Sequence, residues 1–283
     1  MPSPVSRHAS RTDEPRRHED YLDTARLPNL DGLRGIAILM VLAHHVPAAG
    51  VAWLATIQDQ SKHGVSLFFV ISGYIVMTLL LREIRRQGQV NVRAFLWRRS
   101  LRLWPLYFAV LALEAVLVFG LGAYSAENQA LFAEKLPCYV LYCSNWLETS
   151  GEGPFFVSWS LAVEEQFYLA VALLMLISPG RKALAAVFAV LLLAKVFLVH
   201  GSPGVDLSVL PGRVILSYSE AILLGSLLAC FLDSPWGYRI FMQRTAHALA
   251  APLVFLVFIV CLAVMDLGDK SGIPALMFYF ICA

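Results

Sequence analysis

Long apolar runs separated by short polar clusters organise this chain of 283 residues. The runs fall at residues 29–49, 64–81, 103–123, 159–178, 183–200, 213–232 and 247–266. Each is close to the length of about 20 residues with which an α-helix crosses about 30 Å of hydrocarbon. An eighth run begins near Ile273 and reaches only Ala283, so the chain is expected to stop inside a membrane helix, as a fragment of a longer protein would. Strand signals are negligible, and in lipid only helices and closed barrels satisfy their own backbone polar groups. The pattern therefore predicts an all-α fold, a polytopic transmembrane helix bundle of about eight segments with the last incomplete. Residues 1–27, with five Arg and five acidic residues, read as a disordered tail, and residues 28–283 as the membrane domain. No apolar stretch with a small-residue cleavage site directly follows the tail's charges, so a cleaved signal peptide is not expected.

Composition agrees with that reading. The chain is 58% hydrophobic and 15% charged, against about 45–50% and about 25% for a soluble domain. Its charge is unevenly spread. The stretch LREIRRQGQVNVRAFLWRRSLR, read as a loop after the second run, carries seven Arg and one Glu. Arg181, Lys182, Arg239 and Arg244 fall in loops on the same side as this stretch and the tail. Lys62, Lys135 and Lys270 fall on the other. By the positive-inside rule the tail and the Arg-rich stretch are cytoplasmic in an inner or plasma membrane. Loops 50–63, 124–158, 201–212 and 267–272 then face outward, and the longest, 124–158, is expected to pack as an interfacial or re-entrant element. Lys62 and His63 are expected to be solvated. The five cysteines show no metal-ligand spacing, so no metal site is predicted. Cys138 and Cys143 share one outer loop and are expected as free thiols.

Ionisable groups inside apolar runs cost about 2.5–3.5 kcal/mol each on insertion scales and mark candidate sites. Arg34 and His45 bracket the run RGIAILMVLAHH. Eleven residues at 100° each fall about 20° short of three turns, so both share one helix face about 16 Å apart, while His44 points about 100° away. They could line one channel, with a cation at the cytoplasmic mouth and a proton acceptor deeper in. The plainer reading is an arginine reaching for headgroups and a histidine bonded to a neighbouring helix. In SWSLAVEEQFYLA, Glu164 and Glu165 point to different faces. One could orient His45, or both could be an interfacial pair at a helix start. In FLWRRSLRLWPLYF, Arg98, Arg99 and Arg102 could grip phosphate oxygens with planar forks, or could simply anchor the helix beside an aromatic belt. Ser72, in an apolar run, lacks a local base that would make it a nucleophile. Glu114 and Glu220 are further acids in apolar runs.

Taken in order, these stretches resemble the membrane-integral acyltransferase 3 family. DGLRGIAILMVLAHH resembles its Arg-x10-His motif and GVSLFFVISGYIV its Phe-rich Ser-Gly segment. FLWRRSLRLWPLYF resembles its basic Arg-x-x-Arg-Leu-x-Pro stretch and SWSLAVEEQFYL its Glu-Glu-Gln-Phe-Tyr segment. The resemblance spans residues 29–170; beyond it only hydrophobic helices match. It implies an O-acyltransferase that moves an acyl group, usually acetyl, from a cytoplasmic acyl-CoA co-substrate to a hydroxyl of a surface polysaccharide, another glycan or a lipid-linked sugar of the cell envelope. No bound cofactor and no nucleic-acid partner is implied. By the same resemblance His45 and Arg34 form the functional pair, Glu164 supports them, and Arg98, Arg99 and Arg102 bind the donor. Ser72, Glu165 and Tyr168 are possible supporting residues. Whether His45 acts as general base or carries the acyl group stays open. The competing reading is a proton-coupled transporter using Arg34, His45, Glu114 and Glu220, although no matching inverted repeats are visible.

Overall fold

The computed structural model describes residues 13–24, 28–45, 63–147, 153–178, 180–200 and 210–245. Among them the regular structure is helical. In chain order the helices are α1 (Asp13–Asp23), α2 (Pro28–His45), α3 (Gly64–Gln87), α4 (Val92–Ala115), α5 (Ala126–Val140), α6 (Trp159–Ile177), α7 (Arg181–His200), α8 (Leu210–Ser217), α9 (Glu220–Leu232) and α10 (Pro235–Thr245). A π-helical turn, Val116–Gly120, continues α4, and two short 3-10 turns, Ser144–Trp146 and Phe156–Ser158, precede α6. Three stretches are long and apolar enough to cross a membrane: Gly64–Gln87, Val92–Gly120 and Phe156–Ile177. The pair α9 and α10 qualifies together but is bent by 104°. The runs expected at 247–266 and from Ile273 lie outside the described residues, as does Lys62.

Four expectations need correction. The Arg-rich stretch is not a loop. Arginine is a good helix former, so α3 runs to Gln87, the chain turns at Gly88 with φ +76°, and Asn91 caps α4 by accepting from the Ala94 N–H at 3.0 Å. The run at 213–232 is not one helix. It breaks at Tyr218, and the Ser219 hydroxyl restarts it by accepting from the Ala221 N–H at 3.2 Å. The tail is not wholly disordered, because α1 forms within it. His63 is also buried rather than solvated.

The chain divides into two units, residues up to 86 with those from 224 on, and residues 87–223. In the first, Ala37 of α2 packs on Leu67 and Ile71 of α3. Close approach is set by glycine: a Cβ on Gly64 would lie 2.7 Å from the Ala37 carbonyl oxygen, and one on Gly225 of α9 only 2.0 Å from that of Val70. At the far end of α9 the Ser234 hydroxyl accepts from the Gly237 N–H at 3.0 Å, with Pro235 opening α10; serine at the cap and proline at the first helical position make the sharp bend. An isolated helix of eleven residues is marginal in water, so contacts hold α1. Tyr21 meets the Tyr74 hydroxyl at 2.8 Å, His18 Nε2 donates to the Leu232 carbonyl at 3.2 Å, and the Arg82 guanidinium donates to the Tyr21 and Thr24 carbonyls at the end of α1. A cation there also favours the helix dipole. Burial, and next the Tyr74 phenol, push the Tyr21 pKa up.

The second unit is built on aromatic packing. Tyr107 and Leu111 of α4, Phe132 and Tyr139 of α5, Tyr142 and Ala162 form one core. The Tyr107 ring stacks on Tyr142 at 4.3 Å, and its hydroxyl donates to the Tyr139 carbonyl at 2.7 Å. The Tyr139 hydroxyl donates to the Pro154 carbonyl at 3.0 Å. These contacts pack residues 124–147 and 153–158 as α5 and two tight turns. Cys138 and Cys143 are free thiols, and burial, with Cys138 beside it, pushes the Cys143 thiol up to about 11, which keeps it protonated and unreactive.

Gly225→Ala forces a methyl into backbone that cannot yield, and should lower stability by about 1–3 kcal/mol. Gly35→Ala, where nothing lies within 4 Å of the new Cβ, should leave it unchanged or gain up to about 1 kcal/mol in helix propensity. Thermal unfolding of the two variants in detergent checks the contrast.

Candidate active site

Two of the singled-out motifs meet where α4 crosses α6. The Phe95 and Tyr168 rings contact edge to face with centroids 6.2 Å apart. The Arg99 guanidinium carbon lies 5.5 Å from the Tyr168 centroid and 5.9 Å from that of Phe95. The Tyr168 hydroxyl donates to Glu164 Oε1. Spacing i, i+4 puts donor and acceptor on one face of α6, and both residues are buried, at 3% and 4% exposure. A cation over the ring and a phenol on the carboxylate make a compact polar group between two apolar helices. Arg98 and Arg102 do not join it. Both are exposed; Arg98 points about 100° away from Arg99, and Arg102, on the same side as Arg99, lies a turn further along α4. The three arginines expected to act together are thus one inward residue and two surface residues.

Glu165 points away from Glu164, as the helix geometry predicts. Its carboxylate has the Trp104 indole as a hydrogen-bonding neighbour, while Oε1 is buried without a partner. Beside it Gln166 and Asn145 exchange two amide hydrogen bonds, at 3.0 and 2.8 Å. Gln166 Nε2 also donates to the Tyr142 carbonyl at 2.7 Å, and Asn145 Nδ2 to the Ser217 hydroxyl at 3.0 Å. This amide lattice joins the Ser144–Trp146 turn to α6 and α8. The sequence reading missed it, since isolated Asn and Gln carry no recognisable spacing.

Arg34, His45 and Ser72 belong to the first unit. On α2, Ala37 is fully buried against α3, and Arg34 and His45 fall about 60° and 80° to one side of it, so they flank the packed face together. Arg34 is half-buried; its guanidinium carbon lies 5.9 Å from the Phe68 centroid, and its Nε is buried without a hydrogen-bond partner. His45 is exposed, with Nδ1 2.8 Å from the Val41 carbonyl oxygen. A carbonyl brings no proton, so Nδ1 carries the hydrogen and the neutral ring keeps its lone pair on Nε2. A backbone carbonyl therefore holds Nδ1. The His44 ring meets that of His45 edge to face at 5.3 Å. Ser72 is fully buried in α3, its hydroxyl without a partner.

The acids of the transporter reading have local partners. Glu114 accepts from the Tyr124 hydroxyl at 2.6 Å. Glu220 pairs with Lys195 Nζ at 3.0 Å, and Lys195 also donates to the Tyr218 carbonyl. Lys195, buried at 5% exposure, was missed although its signal was plain: a single cation inside the apolar run of α7. No group of three or more potential metal ligands gathers among the described residues.

A family model described as an acyltransferase domain matches residues 27–283. The chain belongs to the acyltransferase 3 family. Two relatives are the O-acetyltransferase OatA of Staphylococcus aureus strains NCTC 8325 / PS 47 and COL, each 34% identical over 163 residues that make up 54% of this chain and 25% of theirs. A third, named "Putative O-acetyltransferase SACOL0978" in S. aureus strain COL, is 33% identical over 158 residues, 53% of this chain and 24% of its own. The chain thus spans about a quarter of the length of the curated relatives it matches. No solved structure matches. The match to the acyltransferase 3 model takes in both units, and with them α2, α4 and α6, which carry the polar groups described above.

Two expected outcomes follow from the buried pairs. Tyr168→Phe strips the Glu164 carboxylate of its phenol and should cost about 1–3 kcal/mol. Lys195→Met leaves the partly exposed Glu220 without its cation and should cost a similar amount, whereas the double change Lys195→Met with Glu220→Leu should recover most of it. Unfolding midpoints of the single and double variants in detergent test both.

Proposed function

We propose that this chain is an integral-membrane O-acyltransferase unit that moves an acyl group, acetyl by analogy with relatives named O-acetyltransferases, from acyl-CoA to a hydroxyl of a glycan or lipid-linked sugar. The donor is taken from the cytoplasm and the acceptor from the outer side of the inner or plasma membrane, with the N-terminus cytoplasmic. The observation that carries this reading is the Arg99–Tyr168–Glu164 group, a cation, a phenol and a carboxylate held between two membrane-length helices of an acyltransferase domain. Polar groups so placed are expensive in a membrane and mark function.

In this mechanism the neutral His45 ring accepts the acceptor's hydroxyl proton on Nε2 as the oxygen attacks the thioester carbonyl. A C–O bond forms, the C–S bond breaks, and the leaving thiolate takes the proton back from the imidazolium. Arg34, with its unsatisfied Nε, supplies a cation on the same side of α2. Arg99 engages the donor, with Glu164 and Tyr168 holding its guanidinium in place; Arg98 and Arg102, exposed on α4, attract the phosphates of coenzyme A. Ser72 and Glu165 have supporting places and no step of their own. Positioned donors and charges around the developing oxyanion are the larger part of the catalytic effect.

His45→Ala should abolish transfer, measured as mass gain of a glycan acceptor supplied with acetyl-CoA, while membrane insertion stays normal. Arg99→Lys, which keeps charge but loses the planar fork, should raise the KM for acyl-CoA by about tenfold, the loss of one charge-assisted hydrogen bond. Full transfer by His45→Ala would remove the imidazole from the mechanism.

A further inference from the structure

We propose that the polar cluster where the Ser144–Trp146 turn packs against α6 and α8 is a binding site for a neutral polyhydroxylated ligand, a sugar ring, and that it holds the acceptor; that last role rests on the acyl-transfer reading above. Three buried polar atoms of this region have no hydrogen-bond partner: the Tyr142 hydroxyl just before the turn, Trp146 Nε1 in it and Glu165 Oε1 on α6. Tyr142 is only 8% exposed. Around them the amides are satisfied: Asn145 and Gln166 bond each other, the Tyr142 carbonyl and the Ser217 hydroxyl. Buried polar atoms are nearly always paired in native structures, so three orphans on one well-ordered frame mark a place that something polar enters.

The chemistry of the orphans selects the class. Trp146 can only donate, Glu165 as a carboxylate can only accept, and Tyr142 can do either. A sugar hydroxyl both donates and accepts, so adjacent hydroxyls on one ring can answer all three atoms. A phosphate cannot, because the Glu165 carboxylate repels it and offers it no proton. The amide lattice keeps the three atoms in position, which limits the ordering cost that binding must meet.

The test is direct binding, without donor or turnover. Purified protein in detergent is titrated calorimetrically with maltose, cellobiose and chitobiose. At least one should bind the unmodified protein. Tyr142→Phe and Trp146→Phe should each weaken that binding about three- to tenfold, the worth of one hydrogen bond. Their unfolding midpoints without sugar should hold or rise, since each change removes an orphan polar atom. A purely structural role predicts the reverse, a falling midpoint. Trp236→Phe, an exposed tryptophan of α10, should bind sugar normally. Failure of all three disaccharides to bind, or unchanged affinity in Tyr142→Phe and Trp146→Phe, overturns the site. Sugar binding without any acyl transfer leaves the site standing and sinks the acyl-transfer reading. Normal transfer with an unchanged acceptor KM in both variants does the opposite.

Discussion

A carboxylate among apolar helices needs a proton donor inside the protein, because lipid supplies none. Glu164 meets that need on its own helix: Tyr168, one turn on, gives it a phenol, and α4 lays the Arg99 guanidinium over the same ring. The two contacts tie the α4 and α6 motifs into one group. They also set Arg99 apart from Arg98 and Arg102, which stay exposed on α4.

The same demand governs the places where helices stop. Where α8 ends and α9 begins, the freed Tyr218 carbonyl is taken by Lys195, whose charge is balanced by Glu220. At the bend between α9 and α10 Ser234 caps the new helix. The last carbonyls of α1 go to Arg82. Each interruption of the backbone ladder is closed by a side chain placed for it, and three of these side chains are cations or hydroxyls that a count of hydrophobic residues treats as blemishes.

Proton transfer depends on such placement as well. The imidazole of His45 has its tautomer set by the Val41 carbonyl one turn back, a constraint intrinsic to α2. The nucleus of the proposed chemistry therefore needs no distant residue to define which nitrogen is basic, whereas the sugar site depends on a turn, two helices and an amide lattice brought together by folding.

The sequence by itself determined the helices that hydrophobic length dictates, the common side of Arg34 and His45, and the divergence of Glu164 from Glu165. These are consequences of residues within a few turns of one another, and helix geometry carries them directly into space. It also held the motifs by which the acyltransferase 3 family is recognised. Only the tertiary structure decided that α1 forms, that Arg99 alone turns inward, that Lys195 answers Glu220, and that Asn145 meets both Gln166 and Ser217. Those partners stand from 21 residues apart, for Asn145 and Gln166, to 214 for His18 and Leu232. At such separations no periodicity links the residues, and what joins them is the requirement that a buried polar group find a complementary atom wherever the packed helices place one.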